Sequence, residues 1–235
     1  MGNHLVDNNN CRIPTVSLQE GTEKFITFLH QQKEKLGKLL TLVAHNGHSS
    51  DDKHFIRAFH HTGKLDTVKD VVAGFSDTLP IFRQKFPDMG HSQSELYSVI
   101  IGGTYQAHSA SDDAAALARL SIESKITSTE LSAHSKSFDS AVADVKHCDE
   151  ANALYNTLDH LTAKQGQVIT KSMAKKMAAS GLGYGHLETV FNRDGSDGLV
   201  AVLKENFNNK PRVTKDKKII NSVIAHFQSK QSAMS

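Results

Sequence analysis

Apolar side chains along the chain change their period several times, and each change marks an element. Ser17-Leu18-Gln19-Glu20 has the form of a capping box, in which the serine hydroxyl and the glutamate carboxylate satisfy each other's orphan backbone amides. Leu18, Phe25, Phe28 and Leu29 then recur at helical spacing, which predicts a helix that stops near Leu36 and Gly37. The continuous apolar run from Leu39 to Ala44, closed by His45-Asn46-Gly47, predicts a buried strand. Phe55, Ile56 and Phe59 mark a helix ending before Gly63, and Val71, Val72 and Phe75 a second short strand. Pro80 and Pro87 bracket a helical piece holding Ile81, Phe82 and Phe86. Another amphipathic stretch runs from Ser94 to Ile101 and is stopped by Gly102-Gly103. The run Ala114 to Ala118 has high helix propensity and side chains small enough to pack closely against a sheet.

Strands alternating with helices predict an α/β layer fold. From about Thr127 to Gln165 the chain turns polar, with Leu131, Phe138, Val142, Val145, Leu154, Leu158 and Leu161 at helical intervals: outer helices, or a helical connector. Beyond Val168 four short helices are expected, carrying Met173 and Met177, then Leu187, Val190 and Phe191, then Leu199, Val202 and Leu203, then Ile219 to Phe227 capped by Thr214. Gly181-Leu182-Gly183-Tyr184-Gly185 lacks the preceding strand and the lysine of a nucleotide loop, so it is a helix-helix turn. The expected division is an α/β domain over 12–125, a connector over 126–166 and a small all-α module over 167–229.

At 235 residues, with 38% hydrophobic and 22% charged side chains, the chain has enough material for a real core and for polar tails. No apolar run approaches the roughly 20 residues of a membrane span, and Met1 to Asn10 lacks the apolar centre of a signal peptide, so no membrane is expected. Cys11 and Cys148 lie far apart and outside any CxxC pair, which argues against a disulfide framework and a cysteine-ligated zinc. These features predict a soluble protein of a reducing, intracellular compartment, nuclear or cytoplasmic. A net charge of +2 is too small to mark nucleic-acid binding over the whole surface, so any basic footprint is local. Lys210, Arg212, Lys215, Lys217 and Lys218, interrupted by Asp216, form such a footprint, which suits phosphates at a helix start or simply a solvated helix face. The 14 histidines are scattered without zinc-site spacing; His45, His48, His54, His60 and His61 read as solvated or internally satisfied.

Two stretches carry candidate chemistry. In Leu42 to Asp51 a strand delivers an aspartate through a tight turn to a helix start, and in His108-Ser109-Ala110-Ser111-Asp112-Asp113 a histidine precedes the acidic opening of the alanine-rich helix. Taken singly, Asp51 is equally a helix cap, and Asp112 or Asp113 a charge that favours the positive helix end. Taken together, their order, spacing and strand-helix setting resemble the second and third motifs of the DEDDh 3'-to-5' exonucleases, closest to the three-prime repair type. The segments Val16 to Leu29 and Phe75 to Phe86 are also similar to the exonuclease-like C-terminal domain of the promyelocytic leukaemia protein. The resemblance covers roughly Pro14 to Leu120. It implies a ribonuclease H-like layer in which Asp51 and Asp113 are metal-binding carboxylates and His108 is the general base. His45 and Asn46, with Lys210, Arg212 and Lys215, are then the expected nucleic-acid contacts. Such enzymes hold two Mg²⁺ or Mn²⁺ ions about 3.5 to 4 Å apart.

The pattern lacks its first motif. No Asp-x-Glu pair precedes Asp51; the nearest imitation, Asp7-Asn8-Asn9, puts an amide in place of the glutamate and leaves no room for three opening strands. The expectation is therefore an N-terminally truncated, degenerate exonuclease-like domain that binds nucleic acid or protein without hydrolysis and holds at most one divalent ion weakly. An active metal-dependent 3'-to-5' exonuclease with carboxylates supplied from elsewhere, and a plain protein-interaction module, remain as alternatives. Without opening strands, Leu39 to Ala44 becomes an apolar sheet edge, which predicts self-association.

Overall fold

The structure, a computed structural model, describes residues 15–107, 109–163 and 166–232. The expectations placed on Asp7, Asn8, Cys11 and His108 lie outside the described residues. The chain divides into two compact units, Met1–Val145 and Lys146–Ser235.

In the first unit, α1 (Leu18–Leu36) starts where the Ser17 hydroxyl accepts from the Glu20 amide at 3.1 Å and ends where Gly37, at φ +66°, turns its amide to the Lys33 carbonyl. Only half of the expected capping box forms, because the Glu20 carboxylate pairs with Lys24 at 2.7 Å instead. Then come β1 (Leu40–Ala44), α2 (Asp51–His61), α3 (Leu65–Lys69) and β2 (Val72–Asp77), with β1 and β2 parallel. Next are α4 (Thr78–Lys85), α5 (Gln93–Ile101), α6 (Ala110–Glu123), α7 (Ser128–Ala133), β3 (Ser135–Ser137) and α8 (Phe138–Thr157). Pro80, expected just ahead of a helix, lies inside the first turn of α4, where a missing amide hydrogen costs nothing.

The sheet order is β1-β2-β3, with β3 antiparallel and Gly74 opposite Ser137. A side chain on Gly74 would strike the Lys136 carbonyl, so glycine is what lets β3 approach. Among the described residues β1 pairs with β2 alone, and Leu39 and Val43 are exposed beside that outer edge.

Ile26, Leu29, Ile56, Phe59, Phe75 and Phe138 form one core between α1, α2, the sheet and the first turns of α8. Phe82, Leu96, Tyr97, Ala116 and Leu120 form a second. The alanine-rich helix thus packs on α5 and on Phe82 of α4; its small face serves a helix where the sequence suggested a sheet.

The second unit holds α8 from Lys146 onward, α9 (Asp159–Thr162), α10 (Lys171–Ala179), α11 (Tyr184–Lys204), β4 (Asn206–Phe207), β5 (Lys210–Pro211) and α12 (Lys217–Ser232) around Leu158, Met177, Leu187, Leu199, Leu203, Val213 and Val223. Gly195, at φ +64°, bends α11 into two arms, which correspond to the two helices expected around Leu187 and Leu199. The antiparallel hairpin β4–β5, turning through Asn208 and Asn209 at φ +50° and +61°, is an addition to the expected helices. The architecture is an α/β layer followed by a helical module with one small hairpin. No helix among the described residues is long and apolar enough to cross a membrane.

Candidate functional site

Because β1 and β2 are parallel, both deliver their C-terminal ends to one edge of the sheet, the place where open α/β sheets gather ligand groups. Asp77, the last residue of β2, is 4% exposed. Its Oδ1 accepts from the amides of Asn46 (2.8 Å) and Leu79 (2.9 Å), and its Oδ2 from the amide of His48 (3.3 Å). The carboxylate therefore fixes both the turn after β1 and the start of α4.

His45 is similarly spent. Its Nε2 lies 2.8 Å from the His91 carbonyl, so that nitrogen donates, and its Nδ1, 3.0 Å from the Thr78 hydroxyl, accepts. Burial pushes the imidazole below its usual pKa, against the opposing pull of the His91 carbonyl and of Asp77. Next to it His48 has Nδ1 2.7 Å from Asp52 and Nε2 3.1 Å from the His134 carbonyl. Asp52 is buried, and Lys136 lies 3.4 Å from it and 3.2 Å from Asp144. This network ties α2 to β3 and the start of α8.

The carboxylates singled out in the sequence lie at two helix starts. Asp51 is exposed in the first turn of α2, and Asp52 is the one that turns inward. Asp113 is half-buried in the first turn of α6, where its carbonyl accepts from Gln93 at 2.8 Å. Burial, helped by the neighbouring Asp113 carboxylate, raises the Tyr105 hydroxyl above its usual pKa. Among the described residues no three His, Cys, Asp or Glu side chains converge on a point able to hold a metal. Among the described residues Asp52 and Asp77 are engaged internally and Asp51 faces solvent, so these three carboxylates do not fit a pair of divalent ions. A small open cavity of about 400 Å³ lies beside the strand ends, lined by His45, Asn46, Leu79, Arg83, His91 and Ser92.

The second unit offers a different kind of place. An open groove of about 930 Å³ runs between α10 and the β4–β5 hairpin, with Lys176, Ala179, Phe207, Lys210, Pro211 and Arg212 in its lining. Arg212 donates to the Ser180 carbonyl from Nε and Nη2 (3.2 and 2.9 Å) and to Glu205 Oε2 from Nη1 (2.7 Å), locking the hairpin onto the end of α10. Phe207 is 70% exposed and pairs across the hairpin with Lys210. Lys215 is exposed beyond the hairpin, outside the groove. Of the three basic positions expected to contact nucleic acid, Lys210 and Arg212 line the groove, and Arg212 is already committed to internal partners. Phe207 and Lys176 escaped the sequence reading; the Asn208-Asn209 turn, which folds Phe207 back toward Lys210, is the signal that reveals the first.

A further polar cluster joins α11 to α12. The Tyr184 hydroxyl lies 3.0 Å from His226 Nε2, and Lys230 reaches both Tyr184 (3.3 Å) and Glu188 (2.7 Å). Burial, with Lys230 and His160 nearby, lowers the pKa of His226.

Residues 146–230 match the family model of the PML C-terminal domain. That span lies within the second unit, away from the segments 16–29 and 75–86 on which the sequence likeness was drawn. No curated protein matches the chain. Over this stretch, less than half of its length, the chain is similar to the PML C-terminal domain, and the match coincides with the helical module that carries the groove.

Proposed function

We propose that this is a non-catalytic binding protein: a degenerate exonuclease-like α/β unit followed by a PML C-terminal-like module whose role is to engage another protein. The observation that carries this reading is the state of the strand-end carboxylates. A two-metal nuclease needs several carboxylates free to face its ions, whereas Asp77 holds three backbone amides and Asp52 is held by His48 and Lys136. Asp51 and Asp113 are the carboxylates left for Mg²⁺ or Mn²⁺, and two such groups offset little of a dication's desolvation. The match of the second unit to the PML C-terminal domain supports the interaction role.

The test is incubation of the full chain with labelled single-stranded DNA and RNA in Mg²⁺ or Mn²⁺. Both substrates are expected to stay intact. Digestion that disappears in Asp113→Ala overturns the reading in favour of the active exonuclease. Calorimetric titration with Mn²⁺ complements it: at most one weak site is expected, weaker still in Asp51→Asn, and two tight sites would reinstate the catalytic alternative.

The outer edge of β1, with exposed Leu39 and Val43, favours self-association as a second property. A sedimentation profile that stays monomeric over a wide concentration range would refute it.

A further inference from the structure

We infer that the groove between α10 and the β4–β5 hairpin docks an acidic peptide segment that carries a large apolar side chain. This rests on the reading of the chain as a binding module and adds the site and the chemistry of what it takes.

The apolar half of the argument starts at Phe207. A phenyl ring left 70% exposed at the wall of a groove holds apolar area in water that a partner's side chain can cover. Ala179 and Lys176 of α10 also line it, with Gly181 and Pro211, and a lysine there can lay its methylenes along an apolar side chain.

The charged half is a local imbalance. Glu205 is the one carboxylate among the described lining residues, and Arg212 neutralises it at 2.7 Å. Lys176 and Lys210 form no ion pair among the described residues, so the groove presents two unpaired cations around an apolar strip. An acidic segment is complementary to that field and a basic one is repelled. The three hydrogen bonds of Arg212 hold the hairpin in place, so the groove is formed before anything enters it and binding costs little ordering. A single-stranded polynucleotide suits the groove less well: one ring stacks one base, and a phosphate chain calls for more cations than two.

The experiment is fluorescence anisotropy on the full chain in Mg²⁺ with three labelled probes: a short peptide alternating glutamate with leucine, its lysine-for-glutamate counterpart, and an oligothymidylate. The acidic peptide is expected to bind and the basic one not. Affinity for it should fall about tenfold in Phe207→Ser and again in the double variant Lys176→Glu, Lys210→Glu, and stay unchanged in Lys35→Glu on α1. These side chains are exposed, so the variants keep the fold, which circular dichroism checks. Absence of binding, or equal loss in Lys35→Glu, overturns the inference. So does tighter binding of the oligothymidylate that is lost in the same groove variants. Digestion of the oligothymidylate overturns the non-catalytic reading instead, whatever the peptides do.

Discussion

The strand-end cluster of the first unit and the groove of the second both gather polar side chains around a concavity, yet they spend them in opposite ways. At the strand ends nearly every polar group faces inward: Asp77 holds three amides, and both ring nitrogens of His45 and of His48 are engaged. At the groove Arg212, Glu205 and Ser180 are bonded internally, while Lys176, Lys210 and Phe207 are exposed and neither lysine forms an ion pair among the described residues. The difference teaches that a cluster of chemistry-bearing residues is a site only to the extent that its bonding capacity is left over once the fold is satisfied. The first cluster is spent on the fold; the second leaves two cations and a phenyl ring over.

The largest way to break this contrast is Asp77→Ala. It removes the buried carboxylate on which the part-buried amides of Asn46, His48 and Leu79 converge, and a loss of about 3 kcal/mol is expected in urea unfolding. A loss below about 1 kcal/mol would show that those amides find other acceptors. Next comes Gly74→Val, which drives a side chain into the Lys136 carbonyl and should cost about 2 kcal/mol, read as a lowered melting temperature. A near-native melting temperature would mean that β3 contributes little to the layer.

Acid gives a smaller and graded effect. His45 and His226 have folded pKa values below the ordinary 6.5, so as pH falls past that value the unfolded chain takes up protons that the folded chain refuses. Stability is thus full at neutral pH and declines below 6.5, levelling off under the folded values. Glu130, drawn down to about 2 first by the Thr127 amide and then by Lys85, acts in the same direction between its ordinary 4.5 and about 2. Urea midpoints followed from neutral pH downward check this, and His45→Gln should flatten the upper part of the curve. The smallest effect sharpens the comparison from the other side: Phe207→Ser should leave stability within about 0.5 kcal/mol, since an exposed ring holds little of the fold together.

Much of the fold was legible because its elements advertise themselves by apolar period. α1, β1, α2 and β2 fall where the Phe, Leu and Val spacing puts them, and Gly195 marks the bend between two runs that the sequence already separates. β3 was not legible, since Ser-Lys-Ser has no period of its own and becomes a strand through its partner and the bare backbone of Gly74. The strand-end cluster was half legible. Asp52, Ile56 and Phe59 share the buried face of α2 at helical spacing, a signal that distinguishes Asp52 from Asp51 one position earlier. Asp77 carries the mark of a helix cap, two residues ahead of Leu79 and three ahead of the first-turn Pro80. The groove was the least legible, because its lining comes from α8, α10 and a hairpin whose strands are two residues each, too short for any period.

The pairing of Gly74 with Ser137 also imposes an order on synthesis. β1 and β2 leave the ribosome before β3, and the third strand of their sheet follows only after α4, α5, α6 and α7 have been made. In that interval the side of β2 that later meets β3 is open, and contacts so distant along the chain form slowly. The helical unit faces no such delay, since its elements are met nearly in the order they are made. For the nascent chain the vulnerable moment therefore belongs to the layer, and the glycine that admits β3 is also the position where that moment ends.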